Sequence, residues 1–212
     1  MPLLKLVLSA RRPPYTAEAI PARDFDAVLR RDGPACRGCG YAPGGGAAPA
    51  SFLEAHRLDG GHAGHGPENG PENPENLENL ENLALLCHAC HGVFHVGEDP
   101  ASAVIFCPWL TQAQVNLMAN LCLDAIGSDP DGAREARGFM SGLHGMARLA
   151  DGLFAPGASD PAALGRALAD MRRQRPADYG RRGILLAGLR LLPLPGPQAF
   201  RGGGDDDDID DI

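Results

Sequence analysis

The sequence predicts an α+β fold in which a small cysteine-rich module with short strands is followed by a helical half. The first half contains two Cys-x-x-Cys pairs and short apolar stretches with strand character. Beyond about residue 110, apolar residues recur at helical spacing behind residues that commonly begin helices. We therefore divide the chain into a module at 1–100 with a Gly/Pro-rich insert at 59–81, a helical region at 101–201 packed on it, and a disordered acidic tail at 202–212.

The composition limits both the size of the core and the class of partner. With 212 residues, 44% of them hydrophobic, the chain can bury the core of one or two small domains. Of the formal charge of −8, six charges belong to aspartates of the tail, which leaves −2 for the rest. One basic cluster is evident, made of Arg172, Arg173, Arg175, Arg181 and Arg182. Proteins that bind duplex DNA non-specifically usually present a cationic face, so we expect no nucleic-acid partner.

Three short elements are predicted in the first half. In "LLKLVLSA", Leu4, Leu6 and Leu8 alternate with other residues, which predicts a strand with one apolar face. The stretch "ARDFDAVLRRDG" has apolar residues at helical spacing and predicts a helix that Gly33 closes. "FLEAH" predicts a second strand, which leads into the polar insert.

The clearest helix signal of the second half is "LTQAQVNLMANLCLDAIG". Thr111 and Gln114 stand in the register of a capping box, and Gly127 is the predicted end. The predicted apolar face consists of Val115, Met118, Leu121, Cys122 and Ile126.

Two further helices are predicted after it. "DGAREARGFMSGLHGMARLADG" predicts one helix, although each of its three internal glycines weakens it by roughly 1 kcal/mol. "SDPAALGRALADMRRQ" predicts another, with Asp160 as the N-cap and Pro161 in the first turn.

Four of the six cysteines form the pattern C-x2-C-x47-C-x2-C, which consists of Cys36, Cys39, Cys87 and Cys90. No apolar stretch reaches the roughly 18 to 20 residues of a membrane-spanning helix, and no signal peptide is evident, so we expect a reducing cytoplasmic location. There, paired cysteines favour structural zinc, with redox-active pairs or metal-free buried thiols as alternatives. Cys107 and Cys122 lack partner spacing and are interpreted as small buried hydrophobic residues.

The residues around the cysteine pairs carry a resemblance. "LRRDGPACRGCG", "FLEAHRLDG" and "ENLALLCHACHGVFH" resemble the HNH, or ββα-metal, nuclease module with its own zinc knuckles, over residues 24 to 95. The resemblance implies that His56, His91 and His95 are the ligands of the catalytic metal and that Asn82 ties the loop to the helix. It places Arg57 at the position of the general base.

Arg57 breaks the hydrolytic route that this resemblance implies. An arginine stays protonated at physiological pH and cannot accept a proton from water. A slip of register could bring His62 or His65 from the insert into the base position, but a general base must be firmly positioned. We therefore predict a protein without enzymatic activity and interpret His88, His62, His65 and His144 as solvated or locally bonded side chains.

A second resemblance spans most of the chain. The order of "LLKLVLSA", the degenerate HNH module, "VIFCPWLTQAQVNLMANLCLDAI", "SDPAALGRALADM" and "LRLLPLPGPQAF" resembles the IcmJ/DotN family of type IVB (Dot/Icm) secretion systems. It implies a zinc-stabilised, non-enzymatic subunit of the coupling complex, bound to the coupling ATPase at the cytoplasmic face of the bacterial inner membrane, where effector proteins are recruited. The pair His91-x3-His95 departs from this family and keeps a metal-dependent HNH nuclease as the alternative.

Overall fold

The computed structural model describes residues 3–10, 20, 22–44, 51–58, 80–99 and 101–194. It confirms the α+β class, with helices and two antiparallel two-stranded sheets. The elements are α1 (Ala22–Asp32), β1 (Leu53–Arg57), β2 (Leu83–Cys87), α2 (His88–Gly92), β3 (Ser102–Phe106), α3 (Gln112–Ser128), α4 (Pro130–Gly145), α5 (Ala147–Leu153), α6 (Pro161–Gln174), α7 (Pro176–Gly180), α8 (Arg182–Leu185) and β4 (Leu189–Pro193). Within the described ranges, no helix combines the length and the apolar character that crossing a bilayer demands.

The first sheet is a β-β-α unit. β1 pairs antiparallel with β2 in a register that sets Leu53 opposite Cys87 and Arg57 opposite Leu83, and α2 begins directly after β2. All five residues of β2 are buried, because α1 covers one face of the sheet with Val28 and its neighbours. The predicted strand in "FLEAH" and the predicted helix closed by Gly33 are both confirmed, and Gly33 has a φ of 81°.

The second half is helical, as predicted, and it also contains a second sheet that was not predicted. β3 and β4 pair antiparallel, with Val104 opposite Leu191, and both strands contribute buried side chains to the core. α3 packs against β4, while α5 and α6 pack against β3. Each strand has only five residues, and the partners lie far apart in sequence, so neither gives a local signal of pairing.

The helices α3 and α6 begin at the predicted caps, but some helices of the second half end at other residues than predicted. Thr111 and Gln114 form the predicted capping box of α3, which continues through Gly127 and ends at Ser128. Asp160 caps α6 through a 2.8 Å bond that its side chain accepts from the backbone N–H of Ala162. The prediction of a single helix after α3 is wrong, because the helix is interrupted at Met146 and two helices, α4 and α5, form instead.

Residues 3–10 do not form the predicted strand. Their backbone bonds reach different segments: the N–H of Leu4 donates to the carbonyl of Arg37, and the N–H of Ser9 donates to the carbonyl of Val93. Both acceptors lie in turns rather than in one neighbouring strand, so no ladder forms. The apolar alternation reflects partial burial on these turns.

Several predictions fall on residues that the structure does not describe. They concern positions 59–79 of the insert with His62 and His65, and the acidic tail at 202–212. These predictions stand as made.

Candidate metal centres

The four predicted cysteines come together at one buried point. The sulfur atoms of Cys36, Cys39, Cys87 and Cys90 all lie within 4.8 Å of one another, and the four residues are at most 3% exposed. Cys87 is the last residue of β2 and Cys90 lies in α2, whereas the first pair belongs to the loop after α1. This cluster could hold a metal ion.

Local backbone bonds shape the loop that carries the first pair. The N–H of Cys36 donates to the carbonyl of Tyr41 at 2.9 Å, and the N–H of Gly40 donates back to the carbonyl of Cys36 at 2.8 Å. Gly40 has a φ of 79°, in the left-handed region that favours glycine. The N–H of Arg37 bonds the carbonyl of Leu85 at 2.9 Å and so fixes the loop to β2.

Gly38 is required by close approach. A Cβ atom at this position would lie 2.8 Å from the sulfur of Cys90. Position 38 therefore has no room for a side chain, which explains the glycine of "CRGC" in physical terms.

The buried thiols perturb one another. Hydrogen bonding with Cys39 is the main cause that lowers the pKa of Cys36, and hydrogen bonding with Cys36 is the main cause that raises the pKa of Cys90. The thiol protons of the cluster therefore lie among closely spaced sulfurs. A bound cation would replace them, because metal ions bind the thiolate form of cysteine.

The three histidines of the HNH resemblance also converge. Ligand nitrogens of His56, His91 and His95 lie within 4.8 Å of one another. His56 lies in β1, whereas His91 belongs to α2 and His95 to the turn after it, so side chains four residues apart face the strand. His56 and His95 are at most 4% exposed, and Phe94 stacks on the His56 ring with centroids 4.5 Å apart.

Glu54 contacts this histidine cluster from β1. One carboxylate oxygen lies 2.6 Å from Nδ1 of His91, and the other lies 3.1 Å from Nδ1 of His88. The hydrogen bond with His88, followed by the bond with His91, holds the pKa of Glu54 well below its usual value. The bond with Glu54 in turn raises the pKa of His88 to about 9. With Nδ1 of His91 bound to a carboxylate, Nε2 is the nitrogen that can serve as the ligand of a metal.

The remaining predicted residues lie near these centres. Arg57 ends β1 directly after His56, and Asn82 lies in a 3₁₀ turn before β2, where its carbonyl accepts a 2.8 Å bond from the N–H of Leu58. The expected role of the Asn82 side chain stays a prediction. Cys107 is fully buried, as predicted, while Cys122 is half-buried.

Residues of α3 that the sequence analysis did not single out contact the cysteine cluster. Nδ2 of Asn116 lies 3.2 Å from the sulfur of Cys90, and Nδ2 of Asn120 lies 3.3 Å from the sulfur of Cys87. The predicted apolar face is corrected accordingly, since Leu121 is 54% exposed while Asn116 is fully buried. The available signal was the spacing of Gln112, Asn116 and Asn120, which repeats every four residues along one helix face.

Glu54 was also missed, and its signal was equally simple. It stands two residues before His56, so both side chains point to the same face of β1.

The chain matches no protein-family model, and no curated protein is detectably similar to it.

Proposed function

We propose that Cys36, Cys39, Cys87 and Cys90 bind one structural zinc ion. Four sulfurs at about 2.3 Å from a tetrahedral zinc lie about 3.8 Å apart. The sulfurs of Cys39 and Cys87 are separated by 3.8 Å, which fits this geometry. Four cysteines without a water-accessible position are typical of structural rather than catalytic zinc.

We further propose that the protein is a non-enzymatic subunit of a type IVB secretion coupling complex, where it binds the coupling ATPase and helps to recruit effector proteins. The observation that carries this proposal is the set of exposed apolar side chains in the helical half. Among the described residues, the large hydrophobic side chains that are exposed lie beyond residue 108, apart from Leu3 and Leu58; they are Trp109, Leu121, Phe139, Leu149, Leu153, Phe154, Ile184 and Leu185. Exposed apolar clusters commonly mark protein interfaces.

Two of these side chains suit a direct test. Leu149 and Leu153 are four residues apart on α5 and therefore share one helix face, with 47% and 61% of their surface exposed. We expect the full chain to co-purify with a coupling ATPase encoded in the same organism, and the double variant Leu149→Glu/Leu153→Glu to weaken binding more than about tenfold, because buried apolar anchors dominate interface energies. Pull-down followed by calorimetry measures both effects.

Arg148→Gln is the matched control, because it changes an exposed residue of the same helix without adding a charge to the apolar face. It should bind like the wild type. Failure of the wild-type chain to bind any such ATPase would refute the proposed role. Normal binding by the double variant would reject this particular face.

The histidine cluster favours a second candidate function, a metal-dependent HNH nuclease. His56, His91 and His95 provide three nitrogen ligands, and Glu54 orients one of them, as carboxylates commonly do in metal sites. A metal so held can stabilise the leaving oxygen in phosphodiester hydrolysis. Against this function stands Arg57, which cannot act as a general base.

Incubation of purified protein with supercoiled plasmid and Mg²⁺, Mn²⁺ or Ni²⁺ distinguishes the two functions. We expect no cleavage at high protein concentration, since the base is replaced by Arg57. The His91→Ala variant is the control for a contaminating nuclease. Cleavage by the wild type that disappears in this variant would establish the nuclease and overturn the non-enzymatic assignment.

A further inference from the structure

Two side chains of α3 that contact sulfurs of the cysteine cluster are amides. Asn116 and Asn120 lie four residues apart, so both project from one face of α3 toward the sulfurs of Cys90 and Cys87. Asn120 also lies 3.9 Å from the sulfur of Cys39. The helix thus contacts three of the four sulfurs through two side chains.

The charge of the cluster gives these contacts a physical meaning. Four thiolates around one Zn²⁺ carry a net charge of −2, and burial of an ion without hydrogen bonds is costly. The sulfur of Cys36 accepts two backbone bonds, from the N–H of Gly38 at 3.3 Å and from the N–H of Cys87 at 3.2 Å. Cys87 and Cys90 accept theirs from the side-chain amides of α3.

A hydrogen-bond network fixes the orientation of the Asn116 amide. Its Oδ1 accepts a 2.8 Å bond from Nε2 of Gln112, so Nδ2 must be the group that faces the sulfur. Gln112 is itself held by β4, because it donates to the carbonyl of Leu191 at 2.7 Å and accepts from the N–H of Leu191 at 2.9 Å. The second sheet therefore positions the Asn116 amide through Gln112.

We infer that Asn116 and Asn120 are positioning residues of the zinc centre, which stabilise its thiolate charge and make its sulfurs poor nucleophiles. A hydrogen bond to a thiolate draws electron density away from the sulfur lone pair that attacks electrophiles. The inference rests on the zinc assignment proposed above and is independent of the secretion role. The helical half thus contributes hydrogen-bond donors to the proposed zinc site.

Alkylation by iodoacetamide tests the inference. In that reaction the thiolate sulfur forms a bond to carbon, iodide leaves with the electron pair, and the neutral thioether loses its hold on zinc. We expect Asn120→Leu to release zinc about tenfold faster than the wild type, as measured with a colorimetric zinc indicator, in line with the usual effect of removing an outer hydrogen-bond partner of a metal site. In the Co²⁺-substituted variant, the sulfur-to-cobalt charge-transfer band should move to lower energy.

Ser128→Ala is the matched control, since it removes a side-chain hydrogen bond from the same helix, 2.6 Å to the carbonyl of Asp124, away from the sulfurs. It should release zinc at the wild-type rate. Equal rates and identical cobalt spectra for folded Asn120→Leu and wild type would overturn the inference.

A measurement on the wild-type chain does not depend on the folding of any variant. After substitution with ¹¹³Cd, scalar coupling across N–H···S hydrogen bonds should connect the cadmium signal to the side-chain amide protons of Asn116 and Asn120. Absence of both couplings would also overturn the inference. A wild-type protein that contains no zinc would refute the zinc assignment itself, which separates the two failures.

Discussion

Cys87→Ser is expected to yield a protein that contains no zinc and does not fold. Cys87 supplies a sulfur at the junction of β2 and α2, and this sulfur lies 3.8 Å from that of Cys39 in the other pair, so its loss affects both cysteine pairs. The apparent binding energy of structural zinc is on the order of 10 kcal/mol, which is comparable to the whole stability of a small domain. Metal analysis and thermal unfolding followed by circular dichroism measure the result.

Cys122→Ser is the control for this experiment. Cys122 is half-buried on α3 and lies outside the cluster, so the same chemical change should leave the zinc content intact and cost about 1 kcal/mol or less. If Cys87→Ser retained both its zinc and its melting temperature, the four-thiolate assignment would be wrong.

Gly165→Ala is expected to destabilise the protein by about 3 kcal/mol or more, even though alanine is the better helix former. A Cβ at position 165 would lie 2.2 Å from the carbonyl oxygen of Val96 and 3.1 Å from Cα of Gly97. Both obstacles are backbone atoms, which cannot rotate away as a side chain does. α6 would have to move away from the turn that follows α2, and denaturant unfolding measures the cost.

Gly142→Ala is the matched control. Gly142 lies inside α4, and a Cβ there would meet nothing within 4 Å. We expect this variant to be stabilised by about 0.5–1 kcal/mol, because only the helix propensity changes. Equal stability of Gly165→Ala and the wild type would show that α6 does not pack on this turn as described.

Parts of the cysteine cluster and of the histidine cluster could be predicted from short, rigid spacings, whereas the place of His56 followed from the HNH resemblance. Cys87 and Cys90 lie in one turn, as do His91 and His95, and adjacent side chains on one element converge without information from elsewhere. The choice of zinc follows from the spacing of the cysteine pairs, whereas the HNH-like character and the secretion role follow from resemblance; all three stay predictions.

Two of the features that were missed, the burial of Gln112 and the second sheet, depend on partners far along the chain. Gln112 bonds to Leu191, which lies 79 residues away. Because of this bond a polar side chain is buried on a helix face that the apolar pattern did not include in the core. The pairing of β3 with β4 is equally remote. Residues 3–10 were predicted as a strand that does not form, because alternating apolar residues occur in segments buried on turns as well as in strands.

The register of β1 and β2 has a consequence for how the chain can change in length. Arg57 pairs with Leu83, and the N–H of Leu58 bonds the carbonyl of Asn82, so the two ends of the intervening segment are tied side by side. Doubling the length of a flexible loop between fixed ends costs only about 0.6 kcal/mol. We therefore expect that copies of the Pro-Glu-Asn triplet can be gained or lost there at almost no cost to the stability of the β-β-α unit, and that a foreign sequence inserted at this point is equally well tolerated.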